Sequence, residues 1–321
     1  MSHTTCGKVA QSIARSKAIE APNIALLSLS AIEYIAASIA PATRRAYQSD
    51  LRDFLTWGGI IPCDPEMLAQ YLADRAQSHS PHTIGRRVVA ISRAHSSLGL
   101  PDPSKTDLVR SVLRGIRRTN GRPQRQAIPI LRDDLFLILG QMHSLRGIRD
   151  RALILVGFAA ALRRSELVGI DVHDLRFVTE GVLIYLRRSK TDQAGEGRKI
   201  AVPFGRTSAC PVKAVKQWMA VSSITDGPVF RGVTKAGVVS QSRLTDQSVS
   251  LIVKAYANAI GLPADGYSGH SLRAGLVTSA AKAGVSFSKI QQQTGHRSTE
   301  MLSRYIRDAK VFENNAAGLL L

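Results

Sequence analysis

The chain is 321 residues long and 44% hydrophobic, with a mean hydropathy close to zero. It has no apolar run of the roughly 18–20 residues that a membrane span needs, so two soluble domains are expected and a membrane protein is excluded. Lys and Arg number 43 against 24 Asp and Glu, a net charge of +19 split as +8 over residues 1–125 and +11 over the remainder; both halves are basic, as in a chain that grips a polyanion. Cys6, Cys63 and Cys210 are too scattered for a disulfide framework or a zinc ribbon. The N-terminus reads as no export signal, so a cytoplasmic protein is expected.

Residues 1–35 read as an N-terminal arm or extra helix, with helical patterning over 24–40 broken only by Glu33. Residues 36–118 read as a helical DNA-binding domain. Its first helix, from Thr43, turns Tyr47, Leu51, Phe54 and Leu55 inward and leaves Arg44, Arg45, Gln48 and Arg52 outside. Asp64-Pro65 and Ser80-Pro81 each pair an N-cap with proline at the first helical position. The helix after Asp64 buries Leu68, Tyr71 and Leu72. The helix after Ser80 buries Ile84, Val88 and Ile91, with Arg86, Arg87 and Arg93 on its outer surface as DNA-facing candidates or merely a solvated face. A capping box from Ser104 to Asp107 opens a fourth helix that buries Leu108, Val112, Leu113 and Ile116 and ends at Arg117-Arg118.

From there a Gly-, Pro- and Arg-rich stretch, residues 119–130, reads as a basic linker. Residues 131–321 form a second domain. Helices are expected over 131–142 and 148–160, then a β-hairpin from strands 181–190 and 198–203 turning through Gly197, then mostly helix. From about residue 310 the sequence ends in an apolar tail.

Four fragments in this domain stand out: ALRRSEL at 161–167, Lys190 in the hairpin, GHSLR at 269–273, and GHRSTEMLSRY at 295–305. Their order and spacing resemble the tyrosine recombinase (phage integrase) family, in its Cre-like branch. In that pattern an Arg lies in a small-Leu-Arg-x-Ser-Glu-Leu turn, a Lys on a β-hairpin, and His-x-x-Arg opens a helix. A His or Trp then follows a Gly, nine residues before a Tyr. Two departures are visible: His296 stands where Cre itself has Trp, and Ala161 replaces the usual Gly two residues before the first Arg.

The resemblance implies a mainly α fold with a small β component, two domains forming a clamp on DNA, and the catalytic set Arg163, Lys190, His270, Arg273, His296 and Tyr305. Arg163 and Arg273 would clamp the phosphate, because guanidinium forks bind its oxygens bidentately and stay charged. Tyr305 would be the nucleophile, its phenolate a tolerable leaving group in the reverse step. Lys190 would protonate the departing 5′-oxygen, His270 would assist as base, and His296 would hydrogen-bond the phosphate. Glu166 reads as structural support for an arginine.

Taken singly, Lys190 could be an ordinary exposed hairpin lysine, and the two histidines could be core, capping or zinc-binding groups. No third His or Cys is suitably spaced for zinc, and the acids of the second domain are scattered, with Asp171 and Asp174 close together before the hairpin, so a metal-free, cofactor-free and ATP-free reaction is expected. The activity implied is site-specific recombination through a 3′-phosphotyrosine and a Holliday junction. The partner would be double-stranded DNA carrying inverted repeats. The protein would be a monomer or weak dimer when free and a homotetramer on DNA, with the tail docking on a neighbour and accessory proteins left open. Type IB topoisomerase activity and a catalytically silent DNA-binding regulator are the competing readings.

Overall fold

The computed structural model describes residues 28, 34, 38–122, 126–187, 197–296 and 299–309. The chain divides into two compact units, Met1–Gln124 and Arg125–Leu321. The fold is mainly α with two small antiparallel sheets. No described helix is long and apolar enough to cross a membrane. The helical reading of residues 24–40 lies largely outside the described residues, as does the apolar tail from 310.

In the first unit, α1 (Pro41–Trp57), α2 (Pro65–Ala76), α3 (Pro81–Ser97) and α4 (Asp107–Asn120) enclose one core of Phe54, Leu68, Tyr71, Leu72, Ile84, Val88, Ile91, Val109 and Ile116. The two expected caps are in place: Asp64 accepts the Met67 amide at 2.7 Å and Ser80 that of Thr83 at 3.3 Å.

Three expectations for this unit are corrected. Leu55 and Leu108 are exposed; the inward stripe of α4 is Val109, Val112, Leu113 and Ile116, one residue on, which satisfies the i, i+3, i+4, i+7 spacing of a helical face. The Ser104 capping box does not form. Instead Asp102 caps a short 3-10 turn, Pro103–Lys105, by accepting the Ser104 amide at 3.0 Å, and α4 begins at Asp107. Arg87 is not on the surface. It is 6% exposed, and its Nη1 donates to Asp53 and, at 3.0 Å, to Tyr71 Oη. A buried guanidinium needs such partners, and the fold supplies Asp53 from α1, 34 residues away.

The second unit is built around α6 (Leu145–Ala159), whose residues Ala152–Val156 are all buried. Around it lie α5 (Arg132–Leu139), α7 (Arg164–Gly169), α8 (Pro211–Val221), α9 (Asp246–Ala259) and α10 (His270–Lys282), followed by α11 (Phe287–Thr294) and α12 (Thr299–Ala309). The hairpin forms from β2 (Gly181–Leu186) and β3 (Arg198–Pro203), with Leu186 opposite Arg198. Val182, Ile184 and Leu186 point into the core, as a two-residue period dictates. A third strand, β1 (Leu175–Val178), pairs with β2, and β4 (Arg231–Val233) pairs with β5 (Val239–Arg243). These three strands have no sequence counterpart above, being too short and polar to show a period.

The expected linker is shorter than read. Arg117 and Arg118 lie in the last turn of α4, and residues 126–130 belong to the second unit: Ile128 N donates to Gly266 O at 2.9 Å and Ile130 N to Ser271 O at 3.1 Å. Ile130 is fully buried, and a Cβ on Gly275 of α10 would collide with its carbonyl oxygen. This close approach locks the start of the unit onto the helix that carries His270 and Arg273.

Candidate active site

Beyond the end of α6 the chain reverses through Ala161, a fully buried residue with φ +49°. Left-handed backbone costs a residue with a Cβ about 1 kcal/mol, which is why glycine would sit here more easily. The turn aims the Ala161 carbonyl at α10, where it accepts from Arg273 Nη1 at 2.6 Å, and it leaves Arg163 as the residue capping α7.

Glu166, in the first turn of α7, holds Arg163 twice: Oε2 accepts from the Arg163 amide at 2.9 Å and Oε1 from Nη1 at 2.6 Å. The carboxylate is 3% exposed and the arginine side chain 21%, so part of that side chain stays open to solvent. Arg273 is buried, and its Nη2 has no acceptor among the described residues. Burial, reinforced by the positive charge of Arg163, brings its pKa down to about 10, which still leaves it a cation at neutral pH.

His270 opens α10 one helical turn before Arg273, so both side chains face the same side. Its Nε2 lies 3.2 Å from Tyr305 Oη on α12. Desolvation by the surrounding protein and then the charges of Arg273 and Arg163 push its pKa below the usual histidine value. A neutral imidazole can accept the phenolic proton. Tyr305 is half-buried and packs on the cluster of Val277, Ala281, Ile290 and Leu302 that seats α12 against α10 and α11.

α11 ends at Gly295, in the left-handed region with φ +63°, and this turn presents the buried His296. Thr294 Oγ1 donates its proton to Ile290 O at 2.8 Å, so His296 Nδ1, 2.7 Å from that oxygen, is the donor between them and Nε2 carries the lone pair. Burial first, then Arg273 and Arg163, lower its pKa to about 3.

Thus Arg163, His270, Arg273, His296 and Tyr305 come together in the second unit, while Lys190 lies outside the described residues. One further cation joins them that the sequence reading missed. Arg198, the first residue of β3, packs its guanidinium against Gly295 and donates from Nη1 to Gln293 O at 3.4 Å. Burial lowers its pKa, Glu166 supports its charge and Arg163 opposes it. Nothing in the RKIAVP strand marks this residue; only its place beside the polar turn hints at it.

The candidates for DNA contact lie in the first unit. Arg44, Arg45, Arg93, Arg117 and Arg118 are exposed, and the Arg93 guanidinium sits 5.9 Å from the centre of the Tyr47 ring. Arg86 has an exposed side chain whose Nε and Nη2 bond the buried Asp50 at 2.7 and 2.9 Å; with Tyr47, His82 and Arg117 it lines a groove. Arg87, buried as described, does not belong to this set. Asp171, His173 and Asp174 bring possible metal-ligating atoms within 4.8 Å of one another. Their carboxylates already pair with Arg243 and Arg187, so they form a structural cluster.

Five groups able to bind and attack a phosphodiester, on a mainly helical domain with two small antiparallel sheets, define a phosphoryl-transfer enzyme that uses tyrosine. The sequence pattern of the phage integrase family matches residues 131–311. An integrase/recombinase XerD homolog of Selenomonas ruminantium is 40% identical over 301 residues, 90% of this chain and 88% of the relative. The recombinase Cre of Escherichia phage P1 is 30% identical over 269 residues, 77% of each chain. In fold, the chain resembles the XerH site-specific recombinase bound to a palindromic difH substrate, with TM-score 0.63, 16% identity and coverage of 86% and 79% of the two chains. It also resembles a lambda integrase dimer (residues 75–356) bound to a COC′ core site, with TM-score 0.60, 20% identity and coverage of 87% and 94%. The chain belongs to the phage integrase family and is a tyrosine recombinase.

Proposed function

We propose that this recombinase cleaves and rejoins DNA at specific sites through a covalent bond between Tyr305 and a 3′-phosphate. The observation that carries the reading is the 3.2 Å approach of His270 Nε2 to Tyr305 Oη, beside Arg163 and Arg273. The neutral imidazole takes the phenolic proton as Tyr305 Oη attacks phosphorus. The bond from phosphorus to the DNA 5′-oxygen breaks, and that oxygen takes a proton from Lys190, assigned here from the sequence. Arg163 and Arg273 neutralise the non-bridging oxygens. His296, an acceptor at Nε2 in the free protein, is raised in pKa by the arriving phosphate, and once it has taken a proton from solvent it donates to one of those oxygens. The attack and the departure each move a proton between named groups, and neither calls on a metal or ATP. Attack by a 5′-hydroxyl from a second site reverses the step and exchanges the strands.

On the same reading, residues 36–118 form a DNA-binding domain that uses Arg44, Arg45, Arg86, Arg93, Arg117 and Arg118. Two duplex sites with inverted repeats are joined in a homotetramer through a Holliday junction, the chain being a monomer or weak dimer when free. The apolar tail docks on a neighbouring protomer, and the protein works in the cytoplasm. Type IB topoisomerase activity and a silent regulator are not favoured, since the relatives above are named recombinases or integrases.

A nicked suicide duplex tests the assignment. Tyr305→Phe is expected to bind it with unchanged affinity and to form no covalent adduct; an adduct that persists removes Tyr305 as nucleophile.

A further inference from the structure

Among the described residues, only three buried side-chain nitrogens or oxygens lack a hydrogen-bond partner: Arg87 Nε in the first unit, and Arg198 Nη2 and Arg273 Nη2 in the second. An unpaired buried donor costs on the order of 1–3 kcal/mol, more on a charged group, so each such atom calls for a reason, and a ligand that supplies the missing acceptor is one. For Arg273 the ligand is the phosphate of the reading above. We propose that Arg198 is a third phosphate-binding guanidinium of this site, donating through Nη2 to a non-bridging oxygen of the scissile phosphodiester alongside Arg163 and Arg273. The proposal rests on that reading of the site as a phosphodiester-cleaving centre.

The placement of Arg198 is built. Nη1 is held by Gln293 O, and the Nε2 of Gln293 donates to Ala159 O at 2.8 Å and Ala201 O at 3.3 Å. One side chain thereby joins the end of α6, which leads into the Arg163 turn, to the strand that begins with Arg198. The guanidinium lies against Gly295, where a Cβ would collide with Nη1. The missing Cβ and the left-handed φ of Gly295 are thus both used: one admits Arg198, the other turns His296 into the site. Arg198 is also near enough to act on the ionisation of Arg273 and His296, and to feel Glu166 and Arg163 in return.

Charge gives the third guanidinium a purpose. Arg163, Arg198 and Arg273 carry three positive charges and Glu166 one negative, and both histidines are neutral in the free protein. The surplus among these groups is two positive charges. A phosphodiester carries one negative charge, and the five-coordinate arrangement formed when phenolate attacks carries two. The protons that His270 and His296 take up answer part of that charge, and Arg198 adds a fixed positive charge that meets the doubly charged arrangement more strongly than the bound phosphodiester, which is the condition for speeding the chemical step.

The experiment is single-turnover cleavage at saturating protein, on a nicked duplex with the natural phosphate and on one with a methylphosphonate at the scissile position. The methylphosphonate has one negative charge fewer. Arg198→Ala is expected to slow cleavage of the phosphodiester roughly 100-fold, the scale for losing one preorganised donor. Its affinity for the intact site should stay close to the parent's, and Arg198→Lys should recover part of the rate. On the methylphosphonate the deficit of Arg198→Ala should shrink to under about 10-fold, because less charge remains to be neutralised. Circular dichroism melts accompany each variant; if Arg198→Ala does not fold, Arg198→Lys and Arg198→Gln carry the same comparison. Cleavage at the parent rate overturns the proposal, and so does an equal deficit on both substrates, which would make Arg198 a purely structural tether. Tyr305→Phe is run alongside. If it abolishes the adduct while Arg198→Ala cleaves normally, only the role of Arg198 fails; if Tyr305→Phe still forms the adduct, the reading of the site fails as well.

Discussion

Replacing Glu166 tests whether one carboxylate holds the cationic site together. It is 3% exposed and accepts from the Arg163 amide at 2.9 Å and from Nη1 at 2.6 Å. Its charge also supports Arg198 and Arg273. Removing one partner of a buried ion pair costs about 3–5 kcal/mol. The 21% exposure of Arg163 lets water take over part of the solvation, so Glu166→Ala is expected at the lower end, about 3 kcal/mol. Glu166→Gln keeps a neutral acceptor for one of the two donors and should cost about 1–2 kcal/mol. Urea unfolding measures this directly. Trp218, fully buried in the second unit, is the reporter, in a Trp57→Phe background that silences the other tryptophan. Sulfate is expected to bind the folded cationic site and so should restore more stability to Glu166→Ala than it adds to the parent. The reasoning is refuted if Glu166→Ala stays within about 1 kcal/mol of the parent, since the three guanidiniums would then be tolerating one another without it.

Other outcomes follow from the same contacts. Arg87→Ala should destabilise the first unit by about 3–5 kcal/mol, followed by Trp57 fluorescence, because Asp53 and Tyr71 lose a buried partner. Arg86→Ala leaves the buried Asp50 without its two donors and should also cost about 3 kcal/mol, while flattening the slope of log affinity against log salt by about 0.9 if it removes one phosphate contact; a slope flattened as much by Arg87→Ala would contradict the burial of Arg87. Ala161→Gly relieves about 1 kcal/mol of left-handed strain but gives up about 0.8 kcal/mol of buried methyl, so thermal unfolding should move little and cleavage should persist; a loss above about 2 kcal/mol would refute the strain argument. His296 has a folded pKa of about 3 against 6.5 when unfolded, so its contribution to stability is complete above pH 6.5 and declines as the pH falls toward 3. The melting temperature of the free protein should therefore drop between pH 6.5 and 4.5, at no more than about 1.4 kcal/mol per pH unit from this group, and His296→Gln should drop less steeply; identical slopes would refute a buried neutral imidazole.

Much of the molecule was legible because its signals are local. Asp64-Pro65 and Ser80-Pro81 start helices by bonding amides three residues away, and the stripe of Ile84, Val88 and Ile91 needs only the helical period. The spacing of His270 and Arg273 is one helical turn, and Glu166 reaches the Arg163 amide across three residues, so both pairs could be read before any packing was known. The β-hairpin was visible in the apolar run GVLIYL and the polar turn through Gly197 that follows it, whereas β1, β4 and β5, at four, three and five residues, were too short to carry a period.

What the sequence determined by itself was the family, the fold class and the residues whose chemistry acts through neighbours a turn away. What tertiary structure alone decided was the fate of individual charges and strained positions. Arg86 and Arg87 are adjacent in sequence, yet one reaches the surface and the other is sealed in by Asp53 and Tyr71. Arg198 looks like any basic strand residue until Gly295 and Gln293 close around it. Ala161 shows its left-handed backbone only once Arg273, 112 residues on, takes its carbonyl. The physical reason is common to all three: a charge or a strained turn is tolerable only if distant groups satisfy it, and which groups those are is set by packing rather than by spacing along the chain.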